Sequence, residues 1–320
     1  MDRTTILTSM FDRNGIGLEI GPSYNPLVPK ASGARIETID HTDQAGLVEK
    51  YRNHPAVDVS RIEPVDYVSD GRPMIEVIGH RARYDYVVAS HVIEHTPNML
   101  GFLNDCAELL KPDGRLVLAV PDKRYCFDYF RPVSSTGDIL QAYRENRTRH
   151  TAGALFDHIA YVTQRGGNIT WAHNDRTSFA FCHTLEEAKN FFQTYDPTDS
   201  YVDCHAWQFT PSSFRLILHD LAAMGVVNLR EREFHDTLGF EFFICLTAGE
   251  SYASLDRLEL AEAAQLEAVP AFEPKPAEND VEPVIERAAA RQSEQVIAPA
   301  RKKRMVKKSF KRLRKSIFGR

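Results

Sequence analysis

Apolar residues recur along the first part of this chain in short bursts, each closed by a glycine, a serine or a carboxylate. Residues 16–20 end at Gly21, residues 36–39 at Asp40, and residues 65–68 just before Asp70-Gly71. Residues 84–89 end at Ser90-His91 and residues 116–120 at Pro121-Asp122. Runs of this length, rich in β-branched residues and bounded by turn formers, read as buried strands. Between the last two, residues 97–110 follow a helical period. Their apolar face is Met99, Leu100, Leu103, Cys106, Ala107 and Leu110, with Pro97 early in the first turn. Lys111-Pro112-Asp113-Gly114 then stops the helix and turns the chain into the fifth strand. After Pro121 the pattern loosens until a second helix, from Pro211 through Phe214, Leu216, Ile217, Leu218 and Leu221 to Gly225. Two more strands are expected over 226–229 and 241–246. Strands alternating with helices predict an α/β fold, a Rossmann-like, doubly wound, mostly parallel sheet of about seven strands. An α-rich insertion follows the fifth strand.

Composition divides the chain further. Residues 1–249 read as one folded domain, with the insertion over about 123–207. Residues 250–300 read as an acidic Ala/Pro linker, because 251–300 hold 12 Ala, 10 acidic residues and 5 Pro. So few large apolar side chains cannot offset the entropy of ordering, although 257–266 has the residues for a short helix. The last 20 residues, 301–320, carry 11 of the 39 Lys and Arg and no acid, which leaves 28 basic against 44 acidic residues elsewhere. That balance makes nucleic acid an unlikely partner for the body. In the tail, Val306, Phe310, Leu313 and Ile317 form one helical stripe opposite a dense basic face, the pattern of a helix lying on an anionic membrane surface. Five scattered cysteines without a C-x-x-C pair argue against a disulfide framework. With no secretion signal at the N-terminus, the expected location is cytoplasmic, peripheral at the inner face of the plasma membrane.

In an open parallel sheet, ligands bind beyond the carboxyl ends of the strands. Those ends present Glu19-Ile20-Gly21, then Asp40, Asp70-Gly71 and Ser90-His91. A carboxylate just past the second strand suits two ribose hydroxyls. Gly15, Gly17 and Gly21 lack the G-x-G-x-x-G spacing that admits a pyrophosphate, and Glu19 would repel one. The set suits a ligand with a ribose and positive charge but no phosphate, such as S-adenosylmethionine.

Gly17-Leu18-Glu19-Ile20-Gly21 resembles the first motif of class I S-adenosylmethionine-dependent methyltransferases. The stretch 84–95 with 109–116 is similar to that superfamily's fourth-to-fifth-strand signature. The resemblance implies that Glu19 and Gly21 hold the methionine end, Asp40 the ribose, Asp70 and Gly71 the adenine edge, and Ser90 and His91 the methionine side again. Residues 120–125 and 205–211 look like methyltransferases associated with bacterial glycosyltransferases and surface-polysaccharide assembly, which implies O-methylation of a sugar or glycan hydroxyl. Only 13 residues, three of them proline, separate Gly21 from Arg35, so the first crossover helix should be short or missing.

The insertion, 121–210, holds 16 of the 32 aromatic residues and 5 of the 12 histidines, and leaves the sheet where the acceptor should sit. Candidate bases are Asp122, His150, His158, His183 and His205, with Asp122 and His158 preferred. His91-Val92-Ile93-Glu94-His95 matches an inverted zinc-peptidase pattern. That pattern requires a mid-helix setting, whereas here a strand runs into it and Pro97 follows. No metal is therefore expected. A zinc hydrolase at His91, Glu94 and His95, a nicotinamide oxidoreductase and a non-catalytic cofactor-binding protein on the same fold are the competing readings.

Overall fold

The computed structural model describes residues 1–196, 198–249 and 256–269. The expected linker beyond residue 269 and the basic tail 301–320 lie outside the described residues. α1 (Arg3–Ser9) precedes β1 (Gly17–Ile20), β2 (Ile36–Asp40), α2 (Gln44–Tyr51), β3 (Tyr67–Val68), α3 (Met74–Ile78), β4 (Tyr84–Ser90), α4 (Met99–Leu109) and β5 (Leu110–Pro121). The insertion holds α5 (Thr136–Arg144), α6 (Ala152–Tyr161), a hairpin of β6 (Thr163–Arg165) and β7 (Phe179–Phe181), and α7 (Leu185–Thr194). α8 (Pro211–Ala223), β8 (Arg230–Leu238), β9 (Glu241–Thr247) and α9 (Arg257–Ala268) follow.

The main sheet has seven strands in the order β3-β2-β1-β4-β5-β9-β8. β1 to β5 are mutually parallel, and β9 runs antiparallel to both β5 and β8. Strand order reverses between β1 and β4, so a cleft opens at their carboxyl ends. Both faces are buried, as a parallel sheet requires. Leu18, Val87, Ala89, Leu116 and Leu118 face α4 and α8. Tyr86, Val88, Val117, Ala119 and Phe243 face Leu7, Met10 and Phe11 of the N-terminal segment together with Leu27 and Val28. β5 starts earlier than expected: Tyr84 pairs with Leu110 and Tyr86 with Arg115, so residues 111–114 form a bulged excursion within the strand.

Two sequence expectations need adjusting. Residues 226–229 are not a strand. Gly225 takes φ 71°, its N–H donates to the Ala222 carbonyl and that of Val226 to the Leu221 carbonyl, a Schellman cap that ends α8. Val227 and Leu229 then fill the core as loop residues. The strand is Arg230–Leu238, whose charged sequence hid it; an outer strand with one solvated face tolerates such residues. Residues 257–268, partly assigned to the linker, form α9 against α8. Its Glu267 carboxylate accepts from the Ser212 N–H and hydroxyl at 2.8 and 2.7 Å. The β1–β2 connection contains no α-helix, only a 3-10 turn at Lys30–Ser32, as its three prolines suggest.

Candidate methyl-donor cleft and the adjoining histidine cluster

At the β1 end, Gly21 takes φ 66° and Ser23 φ 53°, so the chain doubles back into the left-handed region immediately after the strand. Asp40 secures this turn. Its Oδ2 accepts from the Ser23 N–H at 2.8 Å and its Oδ1 from the His41 N–H at 2.7 Å. Gly21 and Asp40 thus lie side by side at the carboxyl ends of β1 and β2, next to the switch point. Asp40→Ala is expected to weaken S-adenosylmethionine binding by about 1–3 kcal/mol, the range for lost hydrogen bonds to a charged group. Calorimetry on both proteins measures this, and equal affinities would remove Asp40 from the site.

The other two carboxylates stand elsewhere. Glu19 alternates with Leu18 and Ile20, and so points to the α1 face of the sheet rather than out of its edge. Its Oε1 and Oε2 accept from the Leu27 and Val28 N–H groups at 2.6 and 2.9 Å. Burial raises the Glu19 carboxyl above the ordinary carboxylate range against the opposing pull of those two bonds. Its effect on a ligand at Gly21 is therefore through the loop it holds. Asp70 is exposed and accepts from the Arg72 side chain and N–H at 2.9 and 3.1 Å, which lowers its pKa. Gly71 follows at φ 90°, completing an open turn after β3.

At the β4 end, Ser90 Oγ accepts from Arg3, and His91 sits at φ 53°, a strained value for a non-glycine residue. Glu241, buried at the start of β9, ties the two together: its Oε1 lies 2.7 Å from Arg3 Nε and its Oε2 2.9 Å from His91 Nε2. Burial works against a protonated His91, but its hydrogen bond to Glu241 and the nearby Glu94 carboxylate prevail and its pKa rises to about 9. Sequence reasoning missed Arg3 and Glu241, because neither lies in a motif.

Residues Ile93–His95 form a 3-10 turn between strand and helix, as expected from Pro97. Glu94 on this turn is fully buried. The insertion's last segment docks on it. Ala206 and Trp207 N–H groups donate to the Glu94 carbonyl at 2.7 and 3.2 Å, and Trp207 Nε1 donates to the Thr96 carbonyl at 2.6 Å. That docking brings His205 beside Glu94, with its Nε2 3.9 Å from Glu94 Oε1. His95 Nε2 lies 3.8 Å and His91 Nδ1 3.5 Å from the same oxygen. Behind the rings, His205 Nδ1 donates to Asp128 at 2.5 Å and His95 Nδ1 to Asp203 at 3.1 Å. Asp128 also pairs with Arg131 at 3.0 Å, and Arg131 donates to the His205 carbonyl at 2.7 Å. Burial opposes charge on Asp128, yet His205 and Arg131 hold it well below the ordinary carboxylate range. Asp128 and Asp203 carried no sequence signal beyond Asp203-x-His205 within the 203–211 segment.

The preferred catalytic pair takes up separate duties. Asp122 caps the 3-10 turn Lys123–Tyr125, with its carboxylate on the Arg124 side chain at 2.6–3.1 Å and on the Thr237 hydroxyl at 2.6 Å. His158 on α6 is buried against the Phe127 ring, and neither ring nitrogen has a hydrogen-bond partner among the described residues. Burial first, then the charge of Arg131, pushes its pKa well below the ordinary histidine value.

Residues 5–176 match a family described as a methyltransferase domain. A ubiquinone biosynthesis O-methyltransferase of Rhodopseudomonas palustris strain TIE-1 is 42% identical over 96 residues, 29% of this chain and 34% of the relative. The chain thus spans about a third of that relative's length. Among solved structures, a Burkholderia thailandensis 1,6-didemethyltoxoflavin-N1-methyltransferase with bound S-adenosylhomocysteine is similar at 12% identity and a TM-score of 0.38, covering 77% of this chain and 76% of that one. A Methanosarcina mazei S-adenosylmethionine-dependent methyltransferase is similar at 14% identity and a TM-score of 0.40, covering 78% and 100%. The family match takes in β1 through β5 and the insertion as far as β6, and the chain belongs to the methyltransferase domain family, with S-adenosylmethionine as its methyl donor.

Proposed function

We propose that the chain transfers the methyl group of S-adenosylmethionine to a hydroxyl oxygen of an acceptor held between the ends of β4 and β5 and the insertion. The supporting observation is the cluster of Glu94, His91, His95 and His205 at the edge of the donor cleft. Methyl transfer needs the nucleophile aligned with the sulfonium. A hydroxyl also needs help in losing its proton, and carboxylates and imidazoles are the groups that give it. The relatives named as O-methyltransferases favour oxygen over nitrogen. Within that class we retain a sugar or glycan hydroxyl, on the sequence resemblance at 120–125 and 205–211. A phenolic hydroxyl is the second reading, favoured by the named relatives. Radiolabelled S-adenosylmethionine, offered with sugar, glycan and polyphenol acceptors in parallel, tests both, with the product's methyl position read by mass spectrometry. Label on nitrogen, or none with any acceptor, would overturn the proposal.

Among the described residues no helix is long and apolar enough to cross a membrane. The proposal that residues 301–320 hold the protein on an anionic surface rests on their sequence stripe alone. Co-sedimentation of the full chain with anionic and neutral vesicles, at low and high salt, tests it; equal partition to both would overturn it.

A further inference from the structure

We propose that Glu94, His95 and His205 form a binding site for a divalent first-row transition-metal ion. One ligand atom from each lies within 4.8 Å of the other two. Zinc bonds of about 2.0–2.1 Å in a tetrahedron set neighbouring ligand atoms roughly 3.4 Å apart. The Glu94–His95 and Glu94–His205 separations of 3.8 and 3.9 Å are close to that spacing.

Three features go beyond proximity. First, the rings are oriented. Asp203 and Asp128 accept only, so the Nδ1 atoms of His95 and His205 carry the protons and their Nε2 atoms are the ligating ones. A carboxylate behind each imidazole is the outer shell that metal-binding histidines recurrently use. Second, Glu94 is fully buried, and neither carboxylate oxygen accepts a hydrogen bond among the described residues. A carboxylate so placed calls for a closer positive partner than His91 at 3.5 Å. Third, the charges leave room for one. Glu94, Asp128 and Asp203 bring three negative charges, and Arg131 on Asp128 and His91 beside Glu94 return two. A divalent ion, with His95 and His205 neutral, covers the charge that remains.

His91, Glu94 and His95 lie on a strand-to-helix turn and by themselves are not expected to bind a metal. The third ligand comes instead from His205, brought in by the docking of residues 206–207 on Glu94. Two nitrogens and one oxygen suit zinc or iron better than magnesium or calcium. The side chains of His95 and His91 are 21% and 32% exposed, so one side of the site opens to the cleft and leaves a position for an oxygen ligand. An acceptor hydroxyl is the oxygen that the proposed function would bring there, and this last clause rests on that reading.

The test is direct metal binding by the full chain without acceptor, so it stands or falls apart from methyl transfer. Protein stripped with a chelator is titrated with zinc by calorimetry and with cobalt(II) by visible absorption. The expected result is one equivalent of each, with a cobalt spectrum that zinc displaces. His205→Ala and Glu94→Gln should lose the equivalent. Asp128→Asn should weaken zinc about 10–100-fold, the effect of losing an outer-shell partner. His235→Ala, on β8 and paired with Glu233, should keep it. Should a cluster variant fail to fold, the cobalt spectrum of the unaltered protein decides. No zinc equivalent and no cobalt absorption in that protein, or an equivalent unaffected by Glu94→Gln and His205→Ala, would overturn the site.

Discussion

Replacing Glu19 by alanine is expected to destabilise the domain by about 3 kcal/mol and to weaken S-adenosylmethionine binding with it. The carboxylate accepts from two consecutive N–H groups, Leu27 and Val28, whose side chains are themselves buried under the sheet. Removing it leaves two donors in an apolar setting, at about 1–3 kcal/mol each. Relief of the burial that raises the Glu19 pKa returns part of that cost. The β1–β2 connection lacks a crossover helix, so these bonds replace much of the order a helix would supply. Two further N–H groups of the same loop, Lys30 and Ala31, donate to Glu63 at 2.8 and 2.9 Å. Gly21 and Ser23 open this loop, so its loosening reaches the donor cleft. Urea unfolding and calorimetry measure the two effects. Reduced cofactor affinity with unchanged stability would instead mean that Glu19 touches the ligand.

Glu19 also shows where sequence reading stops. The strand bursts, their polar endings and most of the helix expected over 97–110 were legible because burial on both faces of a parallel sheet writes itself as apolar runs, although Asn98 caps that helix, leaving Pro97 outside it, and Leu110 already belongs to β5. Asp40 and Gly21 were legible because both terminate such runs. Glu19 lies one residue before its strand's end, where parity sends the side chain to the sheet's face instead of its edge. A motif records the residue but not that parity. The partners of Glu94 were harder still. His205 reaches it, and Asp128 and Asp203 reach His205 and His95, through docking of a long insertion, and no local period encodes that docking. Gly17 was legible as part of a motif, but its packing reason was not. A Cβ there would lie 2.2 Å from the Tyr86 ring, which stacks on Phe11 at 4.2 Å.

Asp122→Ala is expected to cost about 3 kcal/mol of stability while cofactor affinity in the folded protein stays near that of the unaltered chain. Its side chain is fully buried and spends its oxygens on the Arg124 backbone N–H, the Arg124 guanidinium and the Thr237 hydroxyl. Those partners join the β5 exit to the β8 strand across the top of the sheet. The Asp122 N–H donates to the Phe240 carbonyl and that of Lys123 to the Phe209 carbonyl, so the turn also locks the insertion's return path. Removing one member of a buried ion pair typically costs 3–5 kcal/mol. The lower end applies here, because the Arg124 side chain, 26% exposed, can turn part of its charge to water. Asp122→Asn keeps an acceptor for Thr237 or Arg124 and should lose about half as much. Were Asp122 the base for the acceptor hydroxyl, both variants would lose about 10²–10⁴ in turnover, the usual contribution of a proton-transfer group. With an anchoring residue, asparagine should instead retain most of the turnover per folded molecule, and stability should fall in the order Asp, Asn, Ala. Thermal unfolding beside single-turnover methylation separates these outcomes, because a base and an anchor move opposite readouts.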